Sequence, residues 1–296
     1  MTPEEIEAMN PPMITRRHSL KVAAATVLAT SPLLRAAVES KPAFRIGACD
    51  WSIGKRQDIG ALELGREIGL DGIQVSIGEP GHRYDLRKEE VRREYAAAGK
   101  KHNIAVCSLA MGVLNGIPYS SDPRAEKWVR ECVEVLPKMK QKIMLLAFFG
   151  KGDIKNKPDL TAEVIRRLKK VAPVAEKAGV TLGLETWLSA DEHMHIIDAV
   201  GSPAIQVYYD TANSNKMGYD IYKEIRQLGR RNICQIHCKE NGFLLGNGRI
   251  DFRKFKDAVD DIGYRDWLVI ESATGKGVNT FDSYVHNQRY LRSVFR

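Results

Sequence analysis

The sequence predicts a closed (β/α)₈ barrel, and three observations carry that expectation. Short apolar, strand-like runs recur along residues 44–296. Segments with apolar residues three and four apart separate them. The first run leads into Ala48-Cys49-Asp50-Trp51 and not into the Gly-rich phosphate turn that an open doubly wound sheet places there.

In chain order, Phe44–Cys49 is the first strand, and Ala61, Leu64 and Ile68 mark the helix behind it. Gly72–Ser76 is the second, with Asp85-Leu86 as the start of the next helix. Ile104–Leu109 is the third. Ser121-Asp122-Pro123 then caps a helix carrying Val129, Cys132, Val133 and Leu136. After Lys142–Phe148, Pro158-Asp159-Leu160 opens the clearest helix (Val164, Leu168, Val171, Val174, Ala175, Ala178), stopped at Gly179. Thr181–Glu185 follows, then a helix beginning at Asp191-Glu192. Its His193 and His195 are two apart, face differently, and read as surface residues. Ala204–Tyr209 precedes a helix over Ile221–Leu228, Ile233–Cys238 precedes Phe252–Ile262, and Trp267–Ile270 precedes a ring-closing helix over Tyr284–Val294.

A chain of 296 residues fits one such barrel, here 37–296, and 44 % hydrophobic with 28 % charged residues excludes disorder and collagen. The 45 Lys and Arg against 37 Asp and Glu give +8, spread along the chain. That favours anionic partners in general, but no basic stripe interleaved with aromatics indicates nucleic acid. The five cysteines (Cys49, Cys107, Cys132, Cys234, Cys238) are odd in number and read as reduced and structural. Cys234 and Cys238 share a strand face by period, too far apart to chelate one ion together.

Residues 1–36 read as an export signal. Arg16-Arg17 precede an Ala-rich apolar run from Val22 to Leu34, and small residues follow at Ala36-Ala37. The Arg pair resembles a twin-arginine signal, with Ser19 where that pattern has Phe, and Met13 offers an alternative start. The expected location is a bacterial periplasm, with the cytoplasm as the alternative. The apolar run is too short for stable membrane insertion.

The chemical signal lies at strand ends, where barrels of this kind place their active sites. Glu185 closes the fifth run, Asp210 follows the sixth, His237 lies near the end of the seventh, and Glu271 follows the eighth. Three carboxylates on one rim repel one another unless a cation joins them. With an imidazole they form a donor set for one divalent metal, Mn²⁺, Mg²⁺ or Co²⁺, with Zn²⁺ also compatible. Lys239, two past His237 on the same face, can reach a substrate oxygen or stabilise an enediolate. Trp51 and Trp187 can wall a bound substrate, Asn213 can hydrogen-bond it, and His82 in the second loop can touch it.

From Phe44 onward the chain resembles the xylose-isomerase-like TIM barrels of the sugar phosphate isomerase/epimerase superfamily. The resemblance rests on Gly-Leu-Glu at 183–185, Tyr-Asp-Thr-Ala-Asn at 209–213, Ile-His-Cys-Lys-Glu at 236–240, Leu-Gly-Asn-Gly-Arg-Ile-Asp-Phe at 245–252 and Ile-Glu-Ser at 270–272. It implies one divalent metal on Glu185, Asp210, His237 and Glu271, proton exchange by the two glutamates, and a homo-oligomer. The chain differs from ketose 3-epimerases at Asn213, where they carry His, and at 241–247, where their His-Arg is missing. It also lacks the extra histidines and Asp-x-His pair of the trinuclear-zinc endonuclease branch. The expected function is metal-dependent isomerisation or epimerisation of a small carbohydrate by proton abstraction next to a carbonyl. Elimination or hydration on a keto-sugar, inosose or 3-keto-glycoside is one alternative, and a non-catalytic carbohydrate-binding barrel is another.

Overall fold

The computed structural model describes residues 44–296; the expected export signal at 1–36 lies outside the described residues. Eight parallel strands close a barrel in sequence order: β1 Arg45–Cys49, β2 Gly72–Ser76, β3 Ala105–Met111, β4 Ile143–Ala147, β5 Thr181–Glu185, β6 Ile205–Asp210, β7 Ile233–Lys239 and β8 Trp267–Glu271. Helices alternate with them: α1 Gly60–Ile68, α2 Glu89–His102, α3 Pro123–Lys138, α4 Pro158–Ala178, α5 Ala190–Val200, a short α6 Thr211–Lys216, α7 Ile221–Asn232, α8 Phe252–Asp261 and α9 Thr280–Val294. Pairing of β1 with β8 closes the ring. Phe44 and Phe295 meet edge to face at 5.0 Å beside that seam.

Helices α3, α4, α7 and α8 each present a mainly apolar stripe to the strands. On α4 that stripe is Val164, Leu168, Val171, Ala172 and Ala175, and Gly179 ends the helix at φ 66°, donating to the Ala175 and Glu176 carbonyls. Asp122 caps α3 by accepting from the Arg124 amide, with Pro123 in the first turn. The start expected at Asp85 is displaced to Glu89. Asp85 instead accepts from the Gly81 and Arg87 amides, winding its own loop before the helix begins.

Register, more than element existence, positions the site. Strands β6 and β7 pair Val207 with Ile233 but, after a one-residue bulge, Asp210 with His237. The bulge turns Cys234 into the barrel, against a cluster with Ala110, Leu145 and Tyr208, whereas Cys238 belongs to the layer between strands and helices. The expected shared face of these two cysteines is therefore corrected, because the period of two is broken between them. All five cysteines are free and buried. Next door, β7 and β8 pair Lys239 with Glu271. Gly183 allows the close approach of β6 and β7 beside it: a Cβ there would lie 2.6 Å from Cys234 Sγ and 3.0 Å from Tyr208 Cβ.

His193 corrects a second expectation: it is buried, not a surface residue. Its Nε2 meets Thr186 Oγ1 at 3.0 Å and its Nδ1 meets the Ser189 carbonyl at 2.9 Å, so it ties α5 to the loop after β5. His195 is exposed. Burial lowers the His193 pKa to about 4, partly offset by the Ser189 carbonyl. The unfolded chain then binds a proton that the folded one excludes. Stability from this group is complete above pH 6.5 and is lost as pH falls through 4, on the order of 3 kcal/mol. Urea unfolding at pH 7 and pH 4.5 should show a smaller acid loss in His193→Gln than in the parent.

Candidate metal centre and active site

Glu185, Asp210 and Glu271 are the last residues of β5, β6 and β8, and His237 sits two before the end of β7. One ligand atom from each lies within 4.8 Å of all the others. All four residues are buried, from 0 % exposure for His237 to 8 % for Glu271. His237 Nδ1 faces the three carboxylates: Glu185 Oε1 at 3.1 Å, Glu271 Oε2 at 3.6 Å and Asp210 Oδ2 at 3.8 Å.

The far side of the imidazole is fixed by a residue that sequence reading passed over. Gln74, fully buried on β2, accepts at Oε1 from His237 Nε2 at 2.8 Å and from Cys49 Sγ at 3.3 Å. A proton held on Nε2 leaves the Nδ1 lone pair for a cation. A polar side chain within the apolar run Gly72–Ser76 was the available signal. Cys49, His237 and Glu271 form a second close set, but Cys49 approaches the imidazole at Nε2, 3.4 Å away, which Gln74 already occupies. Burial also pushes the Cys49 thiol well above its ordinary pKa.

Asp210 has two tasks. Its Oδ1 accepts from the Asn213 amide at 2.7 Å and caps α6, while its Oδ2 is buried with no hydrogen-bond partner. Lys239 Nζ stands 3.4 Å from that oxygen and 2.7 Å from Glu271 Oε2. Burial raises the Asp210 pKa to about 8; Lys239 opposes the rise, and the charges on Glu271 and Glu185 add to it. Glu271 goes the other way, to about 2: burial would raise it, but Lys239 and His237 more than compensate. Glu185 and Glu271 likewise raise His237 against the desolvation that burial imposes. An orphaned carboxylate oxygen, a free imidazole lone pair and two further carboxylates fit a divalent cation of hard to borderline character.

A cavity of about 140 Å³ adjoins the cluster, and Glu185 and Glu271 line it with Trp51, Trp187, Asn213 and Lys239. Trp51 donates from Nε1 to Glu271 Oε1 at 2.9 Å. Its loop is fastened by buried Asp50, which accepts from the Gln57 amide and from both the amide and the hydroxyl of Ser76. Trp187 packs edge to face on Phe149 at 4.9 Å. Asn213 donates to Glu185 Oε1 at 3.4 Å and accepts from Lys239 at 3.3 Å. Arg56, Gly112 and Asn115 also line the cavity, and no pattern in the sequence marked Arg56.

His82 is not brought to this cavity. The turn wound by Asp85 leaves it exposed, its Nδ1 accepting from the Tyr84 amide. It lines an adjoining depression of about 390 Å³ that shares Arg56, Ser76 and Gly112 with the central cavity.

Two outcomes follow from this geometry. Mn²⁺ binding at pH 7 should release protons, because a cation must displace the proton held on Asp210. Affinity should therefore rise with pH up to about 8, the level to which Asp210 is raised, as read by calorimetry in buffers of different ionisation enthalpy. Gln74→Leu should weaken Mn²⁺ binding by about 10–100-fold, measured by direct titration, since the imidazole loses its orienting acceptor.

Known proteins agree with this architecture. A family model described as xylose isomerase-like TIM barrel matches residues 62–294. The chain is 24 % identical over 222 residues to 2-epi-5-epi-valiolone 7-phosphate 2-epimerase of an Actinoplanes species, spanning 73 % of this chain and 82 % of the relative. It is 29 % identical over 236 residues to L-ribulose 3-epimerase of Mesorhizobium japonicum, spanning 72 % and 75 %. The solved structure of D-psicose 3-epimerase with D-tagatose from Clostridium cellulolyticum H10 shares the fold at TM-score 0.72 and 19 % identity, covering 85 % of this chain and 99 % of that one. With most of the barrel inside the match, the chain belongs to the xylose isomerase-like TIM barrel family.

Proposed function

We propose that this protein is a divalent-metal-dependent sugar isomerase or epimerase that moves a proton next to a carbonyl. The observation that carries the reading is the convergence of Glu185, Asp210, His237 and Glu271 beside a sugar-sized, tryptophan-walled cavity. Epimerases among the relatives support it.

A cation on those four residues would polarise a carbonyl and its neighbouring hydroxyl and acidify the C–H beside them. Both described polar contacts of the Glu185 side chain, with the Asn213 side-chain amide and with His237 Nδ1, fall on Oε1, which leaves Oε2 as the oxygen to take that proton. Glu271, held low in pKa, is a carboxylate at neutral pH and serves from the other side of the cluster. Removal by one glutamate and return by the other inverts the carbon; return to the adjacent carbon interconverts aldose and ketose. Burial lowers the Lys239 pKa, but Asp210 and Glu271 raise it further, so it stays an ammonium and donates to substrate oxygen without acting as a base. Trp51, by holding Glu271 Oε1, orients that carboxylate and walls the sugar.

The donor set supports Mn²⁺, Mg²⁺ or Co²⁺, with Zn²⁺ also compatible. The twin-arginine-like leader supports export to a periplasm, which fractionation of native cells tests. Among the described residues no helix is long and apolar enough to cross a membrane. Metal-loaded protein incubated in deuterated water with ketoses, aldoses, inososes and 3-keto-glycosides should place deuterium at a C–H beside the carbonyl. Glu185→Gln and Glu271→Gln should each slow that exchange by about 10²–10⁴-fold, as should chelation. Loss of water or of an aglycone would instead indicate a lyase, and exchange in no substrate would overturn the reading.

A further inference from the structure

Two larger spaces open beside the central cavity, and their junctions with it differ. A side cleft of about 520 Å³, next to α6 and the loop after β7, shares Trp187, Asn213 and Lys239 with it. Those three side chains are already engaged: Trp187 on Phe149, Asn213 on Glu185 and Lys239 on Glu271. The depression of about 390 Å³ beside the loop after β2 shares Arg56, Ser76 and Gly112. Gly112 brings no side chain to that junction, and a Cβ there would meet no atom within 4 Å beyond its chain neighbours. The more open junction leads into this depression.

Its lining suits an uncharged ligand rich in hydroxyls. One guanidinium, Arg56, is balanced by one carboxylate, Glu79. His82 Nδ1 accepts from the Tyr84 amide at 3.2 Å, which leaves Nε2–H of the neutral ring as a donor. The Gln57 amide fills the space left by Gly78, where a Cβ would collide with Oε1, and its Nε2 has no hydrogen-bond partner. Apolar side chains between these groups offer contact to the flat face of a sugar ring. Proton transfer at the cluster uses none of Gln57, Glu79 and His82, and the central cavity of about 140 Å³ has room for one sugar ring, not two.

We infer that the substrate is a keto-sugar joined to a second sugar, with the carbonyl-bearing ring beside the four-residue cluster and the second ring in this depression. The inference rests on the isomerase or epimerase reading given above, and the experiment separates the two.

Calorimetric binding to the Mn²⁺-loaded protein tests it without relying on turnover. D-fructose would be compared with turanose, maltulose and isomaltulose, in which fructose carries glucose at O3, O4 or O6. Methyl 3-keto-α-D-glucoside would be compared with 3-ketosucrose. At least one disaccharide should bind about tenfold or more tightly than its one-ring counterpart, through the added hydrogen bonds. That gain should be lost in Glu79→Ala/His82→Ala, with the affinities for Mn²⁺ and for one-ring sugars unchanged. Gly112→Leu, which puts a side chain into the junction, should weaken the disaccharide more than the one-ring sugar. Equal affinities for one-ring and two-ring sugars, or a gain that survives either variant, would overturn the inference. A gain without deuterium exchange in any sugar would remove the isomerase reading and leave this binding site standing. Exchange in one-ring sugars without a gain would do the reverse.

Discussion

Three carboxylates buried at the mouth of one barrel set the terms for everything around them. Burial opposes ionisation of Asp210 and Glu271, and like charges this close repel, so the cluster needs positive charge. The protein supplies part of it through Lys239, paired with Glu271 and close to Asp210. The remainder is uncompensated: Asp210 is pushed up to about 8 and its Oδ2 has no hydrogen-bond partner. A divalent cation satisfies the same atoms at once. The strain of the cluster and its affinity for metal therefore have one physical origin.

Much of the surrounding structure holds that cluster in place. The bulge between β6 and β7 brings Asp210 level with His237; without the extra residue, Asp210 would face Ile236, whose side chain belongs to the outer core. Asp210 is further restrained by capping α6, which also carries Asn213 to Glu185 and Lys239. Gln74 reaches across the barrel to set the imidazole, and Trp51 grips Glu271 from the loop that Asp50 fastens. Precision here comes from secondary contacts as much as from the ligands themselves.

The two spaces beside the cluster differ in character, and the difference follows from what each loop brings. Aromatic rings and the ligand carboxylates shape the small central cavity, which suits the flat apolar faces and hydroxyl edges of a sugar. Longer loops and the short α6 shape the side cleft, which Lys216, Lys239, Glu240 and Arg249 line. Rigid strand ends thus carry the four-residue cluster and loops shape the spaces beside it, the usual arrangement in barrels.

The sequence by itself determined the barrel and the approximate place of each strand, because eight buried runs between amphipathic segments leave few other ways to cover both faces of a parallel sheet. The limits of β2 and β5 match the apolar runs residue for residue. It also marked Glu185, Asp210, His237, Lys239 and Glu271, since a charged residue at the end of a buried run is conspicuous. Tertiary structure alone decided what depends on contacts between distant segments. It turned Cys234 inward, buried His193 under the loop after β5, kept His82 out of the central cavity, and set Gln74 of β2 against His237 of β7, 163 residues away. Periodicity reports which face of an element is covered. It carries no information about register between strands, and register, through hydrogen bonds formed only on closure of the ring, is what made separate side chains into a site.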